Sequence, residues 1–470
     1  MIKLDSMPLQ LDTRRLAFYL WMLGIALAAV LLYAALEKPI RYTLMVAATP
    51  VALIIVTSPR LALYQFVLAL FIDYLLIPAL PIYLLDISAL LLISAATVDL
   101  LLDNRIPVRL PPLTLNYVLI LMAMLVCGIL GYMPELLPRR VIAYAVMVMA
   151  FLAVFRLSRK LSVAELLKVY VTVAAVFSAA AIVQFISSGG AERSFGFTHL
   201  YQDEFSMVGA VISFALLMGD EGKNVLLFRL TTVLCLGGLI ATQSRAPIAI
   251  AGACILIVAL VAWRRLRAIG SENTSYRVLQ SRLRKTVLYA LALAVLVLVL
   301  SPGLLTGLTD RFAELFEARA KGTTAYRLVL WKNALKAFWD HPLFGIGPGV
   351  YHYIGQVYPT WHLTEHLAFV RNLSAHNVFL HFLAEMGLVG GIALGALMAA
   401  KIKFARRCWL AARSMEMGTT LAVLAWAILF GVSMLTEAGW MWGHLSFTAV
   451  FFGGLLSRHY TEYKNYQHGQ

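Results

Sequence analysis

The sequence predicts an all-α polytopic membrane protein with 12 transmembrane helices, or up to 14, and one large outward loop that holds short helices. Three observations carry this reading. Of the 470 residues, 61% are hydrophobic and only 13% charged, and the mean hydropathy is +0.81. Apolar runs recur from one end of the chain to the other, many of them long enough to cross a hydrocarbon core of roughly 30 Å. A single hydrophilic stretch, Thr309 to Ala375, exceeds every other interruption.

Met1 to Arg15 is short and polar, and the apolar stretch behind it has no small-residue cleavage site. That stretch is expected to remain a membrane helix. Apolar segments fall near 16–36, 40–57, 61–80, 84–102, 113–133, 139–157, 164–187, 203–219, 224–243, 246–263, 286–308, 378–400, 418–437 and 440–456. Some neighbours stand only a few residues apart and can merge or break, so both helix counts are open. With a cytoplasmic N-terminus, more than half of the 39 Lys and Arg fall in cytoplasmic loops and tails. The densest clusters are Arg156 to Lys160, Arg264 to Lys285 and Lys401 to Arg413, as the positive-inside rule requires. The net charge of +15 is therefore topological and does not call for nucleic acid. The chain divides into helices with short loops (1–308), the outward loop (309–377), and C-terminal helices with a short cytoplasmic tail (378–470).

Inside the loop, Asp310 to Ala320 has helical periodicity, with Phe312, Leu315 and Phe316 on one face. Thr323 or Thr324 can cap a second helix through Arg327, Trp331, Leu335 and Phe338, which Asp340-His341-Pro342 should stop. Phe344 to Ser374 is rich in Gly, Pro, Tyr and Trp and reads as irregular. Long structured loops in membrane proteins tend to be functional. Trp331, Tyr351 and their aromatic neighbours suit either interfacial anchoring or stacking on sugar rings.

The polar residues at helix mouths carry the chemistry. His376 sits where the loop re-enters the membrane, followed by Asn377, Glu385, Gly387 and Gly390 on one apolar run. An imidazole there can handle protons beside a lipid-borne substrate, or simply cap the helix; Asn377 could cap equally well. Glu385 and the glycines read as packing positions. Arg245 lies between two apolar runs, where an arginine at mid-bilayer depth would cost roughly 2.5–3.5 kcal/mol. It needs an anionic partner, a wet cavity or the interface. Arg193 lies in a second outward loop, and Arg139-Arg140 also falls on the outward side, against the charge trend. Cys127, Cys235, Cys254 and Cys408 are scattered singly, so neither a zinc site nor a disulfide framework is indicated.

Three elements together resemble a known group. Arg327-x-x-x-Trp331, then His341-Pro342-Leu343-Phe344-Gly345-Ile346-Gly347-Pro348-Gly349, then His376-Asn377-x9-Gly387-x-x-Gly390 is similar to the O-antigen ligase and polymerase superfamily in order, spacing and placement. The resemblance covers about 310–390 by motif and most of the chain by layout. It implies a GT-C-like glycosyltransferase of the bacterial inner membrane with its active site facing the periplasm. Such an enzyme moves polysaccharide from undecaprenyl diphosphate to the lipid A–core of lipopolysaccharide, with no metal, nucleotide or other cofactor. The ligase branch, of similar length and with a short cytoplasmic tail, fits best; the polymerase branch shares much of the pattern. On this resemblance Arg245 and Arg327 take the family's functional arginines and would neutralise the diphosphate, with Arg193 a third candidate. His376 becomes the general base. Asn377, Trp331, Gly347, Tyr351, Arg139 and Arg140 are possible substrate contacts.

Other patterns compete. His362-x-x-Glu365-His366 matches a metallopeptidase signature but lacks helical surroundings, so zinc is not expected. Gly345-x-Gly347-x-Gly349 could offer backbone donors to phosphate, although a tight turn is simpler. Asp73, Asp86, Asp99, Lys168 and Arg229 in or beside apolar runs leave room for a lipid-linked oligosaccharide flippase or other transporter. No internal repeat supports that class. A scaffold subunit has no positive support.

Overall fold

A computed structural model describes residues 50–72, 84–103, 110–189, 202–219, 224–269, 280–282, 284–286, 288, 323–353, 374–411, 417–436 and 445–467. The segment Asp310 to Ala320, Asp73, Arg193 and His362 to His366 lie outside these residues. Among the described residues the protein is helical, with no strands. The helices are α1 (Pro50–Thr57), α2 (Pro59–Phe71), α3 (Leu84–Leu102), α4 (Thr114–Ile129), α5 (Leu137–Leu157), α6 (Val163–Ser187), α7 (Gln202–Gly219) and α8 (Val225–Ala241). They continue with α9 (Arg245–Ile269), α10 (Thr323–Asp340), α11 (Val378–Ala411), α12 (Met417–Ser433) and α13 (Leu445–Gln467).

Five of the spans are long and apolar enough to cross a bilayer: α3, α5 with its flanking turns, α6, α9 and α11. The helices α4, α8 and α12 are shorter and equally apolar, and α1 and α2 meet at 113° around Ser58. Large apolar side chains such as Val183, Leu256 and Ile392 are more than half exposed, which only a hydrocarbon environment tolerates along a whole bundle. The protein is therefore a polytopic membrane protein.

The centre of the bundle is α7, buried at every position but Asp203. Small residues let its neighbours approach: a Cβ at Gly209 would strike Ala174 of α6 and Cys235 of α8. Hydroxyls then lock the contact, with Ser178 on Ser206 at 2.8 Å and Thr232 donating to Ser213 at 2.9 Å. The pairings 209–235 and 213–232 make α7 and α8 antiparallel. The C-terminal end of α7 abuts the start of α12, with Gly219 against Gly418.

These contacts sort the helix ends into two faces. On one face, the end of α12 meets the start of α11, where Val378 N donates to the Met434 carbonyl at 2.8 Å. The start of α7 and of α9, hence Arg245, shares that face. On the opposite face, Arg265 at the end of α9 donates to the Trp409 carbonyl near the end of α11, and Arg282 to the Leu217 carbonyl. Arg156 and Lys160 pair there with buried Asp99. The basic clusters thus collect opposite Arg245 and His376, in the pattern drawn from charge alone. One detail differs. The stretch expected to form a wet loop at Lys401 is helical to Ala411, and Lys401 is buried 3.8 Å above the Phe430 ring with Trp426 beside it. The aromatic faces of α12 stabilise that ammonium in place of water.

Candidate active site

The site is built on a broken helix. Within α11, Gly387 has φ 56° and ψ −152°, so the first stretch, 378–386, ends there and a second begins. A break inside a membrane leaves backbone donors and acceptors without partners, a cost of several kcal/mol per group unless another segment supplies them. The turn after α10 supplies them. Leu388 N and Val389 N donate to the carbonyls of Pro342 and Leu343, at 2.8 and 3.2 Å. Ile346 N and Gly347 N donate to the carbonyls of Ala384 and Glu385, both at 2.9 Å. Cys127 Sγ reaches the Met386 carbonyl at 3.5 Å.

This explains the glycine pattern. Gly345, Gly347 and Gly349 all have positive φ, and a Cβ at Gly345 would collide with the backbone of Glu385 and Met386. Tyr132 N bonds the Ile346 carbonyl at 2.9 Å, and Gly131 packs directly on Gly347. The Gly345-x-Gly347-x-Gly349 run is a tight turn. The N–H groups of Gly345, Ile346 and Gly347 are spent within the protein, so at these positions there is no free phosphate cradle. Gly387, read from sequence as a helix-packing position, is instead the hinge that lets the turn in. The atoms nearest a Cβ at Gly390 belong to Met386, four residues earlier.

The approach to the site is α10, which begins at Thr323 and stops at Asp340 before His341-Pro342, close to the bounds its sequence suggests. Trp331 Nε1 donates to the Ala375 carbonyl at 3.0 Å, pinning α10 to the residue before His376. Arg327 is four residues earlier, on the same helical face and about 6 Å along the axis. Tyr351 is buried, and its hydroxyl donates to the Leu330 carbonyl at 2.6 Å. Its ring therefore packs the loop rather than forming an open stacking surface.

Asn377 caps α11: its Oδ1 accepts from Leu380 N at 3.0 Å, and its Nδ2 donates to the Leu435 carbonyl at 3.2 Å. His376, the residue before this cap, is half-buried and has φ 46°. Only Gln243, two residues before Arg245, is another non-glycine residue with positive φ among the described residues. Such backbones cost of order 1–3 kcal/mol and collect at functional sites. Arg245 opens α9 on the same face, half-buried after the buried turn Thr242 to Ser244. Arg140 lies beside Gly349, whose missing side chain leaves room for the guanidinium, and Arg139 is exposed next to it.

Sequence reasoning missed the buried pair His381–Glu385, four residues apart on α11 with Nε2 and Oε1 at 3.3 Å. Glu385 Oε1 also accepts from Tyr351 N at 3.2 Å, and Arg140 adds a favourable charge interaction. The i,i+4 spacing was a usable signal. Among the described residues, no group of three His, Cys, Asp or Glu could hold a metal ion. The structure therefore joins Trp331, Gly347, Tyr351, Arg140 and His376–Asn377 through one loop, with Arg327 a turn away and Arg245 on the same face.

The family model described as O-Antigen ligase matches residues 230–395, from α8 through Arg245, α10 and the glycine turn into the second stretch of α11. No curated protein matches the chain.

Proposed function

We propose that this chain, which belongs to the O-antigen ligase and polymerase superfamily, is the ligase: an inverting, metal-independent glycosyltransferase of the bacterial inner membrane. Its donor would be O-polysaccharide on undecaprenyl diphosphate, and its acceptor a sugar hydroxyl of lipid A–core at the periplasmic face. The observation that supports this best is His376, held in a left-handed backbone at a helix mouth that Asn377 caps.

In this reading the acceptor oxygen attacks the anomeric carbon in line with the departing diphosphate. The acceptor proton passes to neutral His376, a step that typically contributes about 10²–10⁴-fold. The glycosidic C–O bond to the diphosphate breaks, and the electron pair leaves with the phosphate oxygen. Arg245 and Arg327, with Arg193, neutralise that charge through forked donors that stay ionised at every relevant pH. Fixed cations in a water-poor site need little reorganisation as the charge develops. Arg139 and Arg140 can contact phosphates of the acceptor from the adjoining helix.

The test is to incubate purified protein with polyprenyl-diphosphate-linked glycan and lipid A–core oligosaccharide and to resolve the products on a gel. Glycan on the core identifies the ligase, and lengthening on the polyprenyl carrier identifies the polymerase. Absence of both products would point to transport. His376→Ala is expected to lower transfer about 10²–10⁴-fold with an unchanged unfolding midpoint. Near-normal transfer by that variant would remove the base.

A further inference from the structure

We propose that His381 is a positioning residue for His376, an inference that rests on the reading of His376 as the base. Ala375, the residue before His376, is gripped at both of its backbone polar groups: its carbonyl accepts from Trp331 Nε1 at 3.0 Å, and its N–H donates to His381 Nδ1 at 3.4 Å. Ala375 itself is fully buried, so neither group has water as an alternative.

An Nδ1 that accepts carries no proton, so the ring proton of neutral His381 sits on Nε2. Nε2 stands 3.3 Å from Glu385 Oε1, off the line of an ideal hydrogen bond but well within electrostatic reach. Glu385 is immobile: it lies at the residue pair that grips the glycine turn, and it accepts from Tyr351 N. The rings of Tyr351 and His352 flank His381 at 5.2 and 5.8 Å. A carboxylate thus orients one buried imidazole, which orients the backbone of a second, half-exposed imidazole five residues earlier. The left-handed φ of His376 is a conformation the local chain resists, and this long-range grip maintains it. His381 touches no reacting atom. Its effect is on where the base stands.

Displacing a reacting group by about 1 Å can cost up to about 10²-fold in rate. His381→Leu, which cannot accept from Ala375, should lower kcat for transfer from polyprenyl-diphosphate glycan to lipid A–core by about 10–100-fold, with KM for both substrates unchanged. His381→Asn, whose amide oxygen is bonded to Cγ as Nδ1 is and can take over its role, should restore kcat to within about threefold of the parent. If the Leu variant does not fold, His381→Phe, which keeps a ring but has no acceptor for Ala375, replaces it with the same expectation. The decisive arm is the double variant. Combined with His376→Ala, the His381 change should lower the residual rate by less than about twofold, because the group it positions is already gone. An equal loss in both backgrounds would overturn the proposal, as would full kcat in folded His381→Leu. If His376→Ala itself keeps full transfer, the base assignment fails first, and that result is separable from the other two.

Discussion

The two helix mouths on the site face, at Arg245 and at His376, look alike and are held differently. Each follows or contains a non-glycine residue with left-handed φ, Gln243 in one and His376 in the other. The first has a set of local backbone bonds. Gln243 N bonds the Ile240 carbonyl at 2.9 Å, Thr242 N the Gly238 carbonyl at 3.1 Å, and Ser244 N the Thr242 hydroxyl at 3.4 Å. The second is also held by other elements, Trp331 of α10 and the Leu435 carbonyl just after α12, and by His381 of its own helix. Arginine acts through a long-range charge and tolerates small displacements, whereas a base must be within hydrogen-bond reach of its proton.

The contrast can be broken at Trp331. Trp331→Phe keeps most of the ring but removes the donor to the Ala375 carbonyl, leaving a buried acceptor unsatisfied. The expected result is a fall of about tenfold in kcat and a stability loss of about 1–3 kcal/mol. At the other mouth, Thr242→Val deletes the hydroxyl that Ser244 uses and should change kcat by less than about threefold, because Arg245 needs no such register. Parallel steady-state kinetics on the two variants check this. Equal losses would mean that the arginine is positioned as tightly as the histidine.

Sequence reached what is local and stopped at what is not. The bounds of α10 were legible because a threonine pair opens it and His341-Pro342 closes it. Arg245 stood out because a cation between two apolar runs needs a reason. The sorting of basic clusters to one face followed from composition alone. By contrast, nothing near Gly387 announces a break, since the run around it is apolar and otherwise helical. The break is possible only because residues 342–347, some forty positions away, satisfy its orphan groups. His381 was missed although its i,i+4 spacing to Glu385 could be read; what the spacing does not show is that its Nδ1 takes the Ala375 N–H. Lys401 was assigned to water because the aromatic rings that cover it come mainly from α12.

A smaller effect is expected at Asn377, which serves the His376 mouth by capping α11 and by reaching the Leu435 carbonyl. Asn377→Ala should lower unfolding free energy by about 1 kcal/mol, the usual worth of an N-cap. Asn377→Asp retains the capping oxygen and should recover most of it, while losing the bond to Leu435. Thermal unfolding in detergent measures the stabilities, and transfer assays alongside separate capping from positioning. If Asp restores stability but not kcat, the α12 contact belongs to the support of His376. If it restores both, the cap alone matters.

The smallest effect sharpens the comparison most. Glycine adopts φ near 52° without the penalty of a Cβ, so Gln243→Gly removes local strain that the Thr242–Ser244 turn now absorbs. The gain is offset by the greater freedom of glycine in the unfolded chain and by loss of the buried Gln243 side chain, leaving a net change within about 1 kcal/mol in either direction. Transfer should be unchanged, because the turn keeps its backbone hydrogen bonds and Arg245 keeps its place at the start of α9. The outcome to watch for is a folded protein with reduced kcat. It would mean that the left-handed residue at this mouth orients the arginine actively, and that both mouths store strain for the same purpose.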